Sequence, residues 1–284
     1  MSEHLNPLRA THLSFIGCGV MAEAIIAGLL RNRLVTPEQI TASHPRMNRR
    51  EELAARYNIN ALESNRAAAR ISESTTDSIV TLAVKPQRLN GILSELKGML
   101  HQDQMVVSVV AGARLAIIAE SLLHSSVVRA MPNTPAQIGQ GTTVWTSTQA
   151  VSSVQHAQVQ AMFGALGFQL HVEEERMIDM ATALSATGPT YIFLVMEALV
   201  DAGVHLGFSR HVAQELVEKT MLGAVLFARE SHKHPAELRN MVTSPGGTSA
   251  EAIYQMEKGG LRTVLSKAVW AAYQRAVALG RRND

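Results

Sequence analysis

The residues best suited to chemistry in this chain lie in two glycine-rich segments. In the first, Phe15-Ile16-Gly17-Cys18-Gly19-Val20-Met21-Ala22, a G-x-G-x-x-A pattern closes a short apolar run and opens a helical one. Gly17 permits a tight turn, Gly19 lets the backbone approach a pyrophosphate, and Ala22 allows close helix–strand packing. The helix start adds free N–H groups and positive potential for the phosphates of a dinucleotide. A plain tight turn is the alternative, and the strand–turn–helix setting favours the dinucleotide. Cys18 reads as a small filler, because nothing nearby marks an activated thiol.

An NAD enzyme usually places an acidic residue at the end of its second strand. Here Thr41-Ala42-Ser43-His44-Pro45-Arg46 has no carboxylate. The Ser43 hydroxyl, with a cation at Arg46, Arg49 or Arg50, suits a 2′-phosphate instead, since anions bind charge-assisted donors strongly. The pattern points to NADPH, with NADH as the alternative donor. A solvated loop ahead of a basic helix face is the competing reading.

The second segment is Ser244-Pro245-Gly246-Gly247-Thr248-Ser249-Ala250-Glu251. Thr248 and Glu251 match a T-x-x-E capping box, which a well-capped helix alone would explain. Pro-Gly-Gly ahead of it exposes N–H groups in a concave turn, a natural carboxylate cradle. Ser249 would then stand at the first helical position, its hydroxyl not needed for capping. Gly188-Pro189 reads as a helix break and restart. The histidines show no metal-ligand spacing and no hydrolase elbow is present, so no metal is expected.

Two kinds of scaffold must position these segments. Strand-like runs at His12–Ile16, Ile40–Ala42, Ser78–Val84, Met105–Val110, Val127–Ala130, Thr142–Trp145 and Phe168–Val172 alternate with helical ones. The helical runs are Met21–Leu30, Arg49–Tyr57, Arg66–Ile71, Pro86–Leu100, Leu115–Leu123 and Val151–Leu166. This rhythm predicts an α/β domain over residues 1–174, a Rossmann-type doubly wound parallel sheet. Beyond Glu173–Glu175 the strand signals largely stop. Thr190–His205 is apolar nearly all round, and in so short a half its cover must come from a second subunit. Ser209 caps an expected helix through Phe227, and Leu261–Leu279 forms a last helix ending at Gly280. Residues 175–284 are thus expected to be an all-α domain that makes a homo-oligomer.

Composition agrees. The chain has 284 residues, 46% hydrophobic and 18% charged, which suits a globular protein of two domains. A formal charge of +2 and 4% aromatics argue against a nucleic-acid partner. The single cysteine excludes an internal disulfide and fits a reducing compartment. No leader is visible in Met1–Ala10. The uncharged stretches Ala130–Val172 and Met180–Met196 fall short of the roughly 20 apolar residues of a membrane span. The expectation is a cytoplasmic protein with no membrane partner.

Taken together, FIGCGVMAEAI at 15–25, AVKP at 83–86, RAMPNTP at 129–135, ATGPTY at 186–191, DAGVHLG at 201–207 and MVTSPGGTSAEA at 241–252 resemble pyrroline-5-carboxylate reductase. The resemblance runs from about residue 12 to 280. It implies an oxidoreductase of proline biosynthesis that reduces the cyclic imine 1-pyrroline-5-carboxylate to L-proline with NADPH. It also implies cofactor contacts at Ile16, Gly17, Cys18, Gly19, Val20, Met21, Ser43, Pro45, Asn65, Ala83, Val84, Lys85, Pro86, Val109, Val110 and Ala111, beside Arg46 from the charge pattern. Substrate contacts are implied at Thr248 and Ser249, with Ser244, Gly246 and Gly247 of the cradle and an acidic residue near Glu175. Ser249 is the catalytic candidate, orienting the imine nitrogen. The family forms homodimers through its C-terminal helices, often assembled into pentamers of dimers. Val20, Ala186, Thr187 and Thr190 depart from its usual residues. Two other readings stay open: a related reductase of another cyclic imine or a β-hydroxy acid, and a non-catalytic cofactor-binding relative.

Overall fold

Short runs of Val, Ile, Leu and Ala with turn residues between them pair into one eight-stranded sheet. The computed structural model describes residues 6–70 and 77–281. The strands are β1 (His12–Ile16), β2 (Ile40–Ser43), β3 (Asn60–Leu62), β4 (Ser78–Leu82), β5 (Met105–Ser108), β6 (Val127–Met131), β7 (Gly141–Ser147) and β8 (Gly167–His171). Their order in the sheet is β3-β2-β1-β4-β5-β6-β7-β8. The central strands β4, β5 and β6 are buried at every residue, as strands covered on both faces must be.

The cover comes from α1 (Val20–Arg31), α2 (Met47–Tyr57), α3 (Asn65–Ala69), α4 (Pro86–Leu96), α5 (Leu115–Leu122) and α6 (Ser153–Gly164). Ile25 and Ile26 of α1 join Met162 and Phe163 of α6 in one core with Leu13, Phe15 and Trp145. Leu89 and Leu93 of α4 join Ile118 and Leu122 of α5 in a second core with Ile16, Val80 and Val106. The α/β expectation and its helices on both faces hold.

Several particulars differ from the sequence reading. β7 runs antiparallel to β6, with Arg129 opposite Thr146. Only residues 132–140 join them, and a parallel crossover needs a dozen residues or more. β7 and β8 return to parallel pairing through α6. The edge strand β3 was not expected, since three residues carry no periodicity. α4 stops at Leu96 rather than Leu100, because Gly98 takes φ +66° and breaks the helix. Ile71, the expected end of the third helix, lies outside the described residues.

The C-terminal part is all-helical, as expected. α7 (Arg176–Ala181) runs into a π-helical turn at Thr182–Ala186. There follow α8 (Gly188–His205), α9 (Arg210–Ser231), α10 (Pro235–Met241), α11 (Thr248–Lys258) and α12 (Leu261–Arg281). Pro189 sits in the first turn of α8, and Ser209 caps α9 by accepting the Val212 N–H at 3.3 Å. α12 does not end at Gly280. It continues through a glycine that is helical and buried.

By compactness the chain forms two units: Gly188–Ala271, and the remainder, to which residues 272–284 return. In the smaller unit Val200 is the one buried residue of α8, while Ile192, Phe193 and Leu194 are 50–66% exposed. By length and composition alone the helical stretch Arg176–His205 would also span a membrane.

Candidate active site

The first glycine segment is built by the end of β1. Gly17 takes φ +80°, and a Cβ on it would stand 2.5 Å from Val84 Cγ1 and 3.2 Å from the Ala83 carbonyl oxygen. Gly19 is different. It is the N-cap of α1 and uses no side chain to satisfy the helix start; a Cβ on it would meet nothing within 4 Å. The fold therefore requires glycine at 17, whereas at 19 the glycine leaves open space over unsatisfied N–H groups. That space and those donors fit a dinucleotide pyrophosphate. Val20 lies exposed at the start of α1, and Met21 packs on the core.

The neighbouring loops supply the rest. β2 and β4 flank β1, and β5 lies beyond β4, so the segments after these four strands share the carboxyl edge of the sheet. Ala83 donates its N–H to Ile16 O at 3.0 Å, and Val109 donates to Leu82 O at 3.1 Å. Lys85 is exposed as the N-cap of α4, with Pro86 at its first position. Val110 is buried, its N–H donating to Ser108 Oγ at 3.3 Å, and Ala111 packs on a small apolar cluster with Met131 and Ile178.

Ser43 faces inward. Its Oγ accepts the Gly17 N–H at 3.2 Å and donates to Asn65 Oδ1 at 2.8 Å, while Asn65 Nδ2 donates to Glu95 Oε2 at 2.8 Å. Ser43 is fully buried and its hydroxyl is taken up by the glycine turn and Asn65, so it braces that turn and does not face outward as a phosphate ligand would. Among the three arginines, Arg49 pairs with Glu23 and Glu52 and donates to Cys18 O at 3.3 Å. Arg50 donates to the His44 and Pro45 carbonyls at 2.9 and 3.0 Å and pairs with Glu63. Arg46 is exposed, and its guanidinium has no partner among the described residues. Burial and then the Arg46 charge, with Arg49 and Arg50 behind, hold His44 below its ordinary value. The segment after β2 is therefore cationic, and of its three arginines Arg46 is the one whose guanidinium has no partner among the described residues.

Burial pushes the Cys18 thiol up to about 12 against the opposing charge of Arg49, so at neutral pH it is an inert filler.

In the helical unit, Gly246 takes φ +68° and Gly247 is the N-cap of α11. A Cβ on Gly247 would lie 2.5 Å from Ser244 Oγ, so Ser244 folds over the turn. Thr248 and Ser249 are the first two helical residues, one position earlier than a Thr248 cap requires. The helix start has no side-chain cap hydrogen bond, so the expected T-x-x-E box is absent. Gly247 occupies the extended N-cap position, which places Thr248 inside the helix, where its side chain cannot serve as the cap. The hydroxyls and N–H groups of Thr248 and Ser249 have no partner among the described residues.

Glu175, expected near the substrate, has protein partners. Its Oε1 accepts the Leu115 N–H at 2.8 Å and Arg129 Nη1 at 3.0 Å. Arg129 is buried and also donates from Nη2 to Asp179 Oδ1 at 2.5 Å. Asn133 ties the π-helical turn to β7, donating to Ser185 O at 3.1 Å and accepting the Thr142 N–H at 2.8 Å. Sequence reasoning missed Arg129 and Asn133. Their signal was a charge inside the apolar run of β6 and an amide just after it, both within the RAMPNTP motif at 129–135.

Comparison with known proteins gives a consistent answer. A curated relative from Synechocystis, named pyrroline-5-carboxylate reductase, is 39% identical over 95% of this chain and 98% of its own. This chain belongs to the pyrroline-5-carboxylate reductase family. A reductase of the same name from Pseudomonas aeruginosa is 39% identical over 94% of this chain and 96% of its own. The crystal structure of Plasmodium falciparum pyrroline carboxylate reductase with NADP bound superposes at a TM-score of 0.85, with 30% identity. It covers 95% of this chain and 98% of that one. The family model for pyrroline-5-carboxylate reductase dimerisation matches residues 175–279, and one described as NADP oxidoreductase, coenzyme F420-dependent, matches 12–112. The exposed apolar residues of α8 lie within the stretch matched by the pyrroline-5-carboxylate reductase dimerisation model.

Proposed function

We propose that this chain reduces 1-pyrroline-5-carboxylate to L-proline with NADPH, or with NADH as the weaker donor. The observation that carries the substrate assignment is the start of α11, where two N–H groups and two hydroxyls stand without partners. A compact anion with a polar ring atom nearby matches that set. The N–H groups of Thr248 and Ser249, with the Gly246–Gly247 turn beneath them, hold the substrate carboxylate. Holding it orients the C=N bond, and orientation of this kind is worth up to about 10⁵ M in effective concentration.

The bound nicotinamide supplies the hydride that reduces the imine carbon. Gly17–Met21 would hold its pyrophosphate, Arg46 the 2′-phosphate, and the Pro45, Asn65, Ala83–Pro86 and Val109–Ala111 segments the rest. The Ser249 hydroxyl hydrogen-bonds the ring nitrogen and orients or relays its proton. A serine is too weak an acid to be the proton's source, so the proton comes from water or arrives with the substrate as an iminium. Lys85 acts through its backbone as the cap of α4.

The active form is a homodimer joined through α8–α12, assembled further as pentamers of dimers. The exposed Ile192, Phe193 and Leu194 support a protein cover rather than a lipid one, since residues 175–279 match a dimerisation model. The cytoplasm is its compartment, in keeping with a buried, unpaired Cys18. The test is loss of NADPH absorbance with pyrroline-5-carboxylate, proline being identified as product and mass read by light scattering. No turnover of this imine, with turnover of another imine or a β-hydroxy acid, would transfer the assignment to that substrate.

A further inference from the structure

We propose that the turn joining β5 to α5, Gly112–Leu115, is a coupling element through which both ends of the dimerisation region set the cofactor loop Val109–Ala111. This rests on the cofactor reading given above. The dimerisation model begins at residue 175 and ends at 279, and both terminal residues touch this one turn.

At the near end, Glu175 Oε1 accepts the Leu115 N–H at 2.8 Å, closing the start of α5. Glu175 is itself held by Arg129, a cation 1% exposed that also binds Asp179 on α7. A buried arginine facing two carboxylates fixes α7 on β6, because separating any member strands a charge away from water. At the far end the contact is backbone on backbone. Gly112 takes φ +76°, and a Cβ on it would lie 2.8 Å from the Leu279 carbonyl carbon and 2.9 Å from Gly280 N. From the other side, a Cβ on Gly280 would come 3.3 Å from Arg114 Nε and 3.5 Å from Gly112 O, so the overlap that demands glycine is at Gly112.

The turn thus meets a hydrogen-bonded carboxylate on one side and, on the other, the Leu279–Gly280 backbone, close enough that a methyl group on Gly112 would overlap it. Ala111 adjoins Gly112 directly, so a shift of α7 or of the end of α12 moves the cofactor loop. Gly112 and Glu175 are positioning residues: they act on the cofactor through the loop.

The experiment uses the full chain, a chain ending at Ala278, and Gly112→Ala. NADPH binding is measured first by fluorescence, then KM for NADPH, kcat at saturating NADPH, melting temperature and dimer content. Ending the chain at Ala278 removes the far contact without adding strain, so it reports even where Gly112→Ala fails to fold. The expected result is a rise of about tenfold in NADPH KM, with kcat changed far less and the dimer retained, since misplacements near 1 Å cost up to about 100-fold. A purely structural contact would lower the melting temperature and leave KM alone. NADPH KM within about twofold of the full chain would overturn the proposal. No NADPH binding by the full chain would instead sink the cofactor reading itself.

Discussion

Gly17 and Val84 stand so close that a methyl group on Gly17 would lie 2.5 Å from Val84 Cγ1. The turn after β1 and the segment after β4 are thereby locked together at the carboxyl edge of the sheet. A methyl group on Gly19, two residues on, would meet nothing within 4 Å. Packing therefore demands glycine at 17 and leaves room for a side chain at 19.

Substitution should separate them. Gly17→Ala should destabilise the chain by about 1–3 kcal/mol through strain at positive φ and overlap with Val84. Gly19→Ala should leave the melting temperature near wild type while weakening NADPH by about tenfold or more. Thermal melts beside NADPH titrations decide it; equal melting losses in both variants would contradict the distinction.

Arg46 and Arg49 should also behave differently. Removing Arg46 takes away an unpartnered exposed cation, so Arg46→Ala should raise KM for NADPH several-fold more than for NADH, with stability unchanged within about 0.5 kcal/mol. Arg49→Ala breaks the pairs with Glu23 and Glu52 and should lower stability. Equal losses for both cofactors in Arg46→Ala would remove the 2′-phosphate assignment.

At the start of α11, Thr248→Ala should cost less than about 0.5 kcal/mol of stability, because Thr248 does not cap the helix. A true cap would cost about 1 kcal/mol. Ser249→Ala should lower kcat/KM for the imine by about 10- to 100-fold with NADPH affinity unaltered. An unchanged rate would take Ser249 out of the mechanism.

Glu23 gives a pH test. Burial alone would raise its pKa, but hydrogen bonds from Arg49, Tyr57 and Arg56 prevail and hold the carboxyl below its ordinary value. A carboxylate depressed on folding stabilises above its unfolded pKa of about 4.3, and that contribution fades as pH falls through the folded value. Melting temperature should therefore drop more steeply below about pH 4.5 in the wild type than in Glu23→Gln. Parallel curves would show that Glu23 is not responsible.

Much of this was readable along the chain. A strand of Val and Ile, a glycine at positive φ, and a serine ahead of a helix are written in windows of a few residues, where backbone sterics and local hydrogen bonds act. So β1, the Gly17-x-Gly19 turn, the Ser209 cap and the all-helical second half were legible before any coordinates. The partner of a long side chain is not local. Arg46, Arg49 and Arg50 look alike in sequence, yet Glu23 and Glu63, brought in by folding, join the local partner Glu52 in pairing Arg49 and Arg50 and leave Arg46 without a partner among the described residues. Ser43 reads as a phosphate ligand until Gly17 and Asn65 surround it. Gly280 reads as a helix stop until Gly112, far away in the chain, is found against it. Local periodicity could specify elements and motifs because those energies are short-ranged. Pairings across the sheet, close backbone approaches and the choice among equivalent charges depend on groups far apart in sequence, so they arise only once the chain has packed.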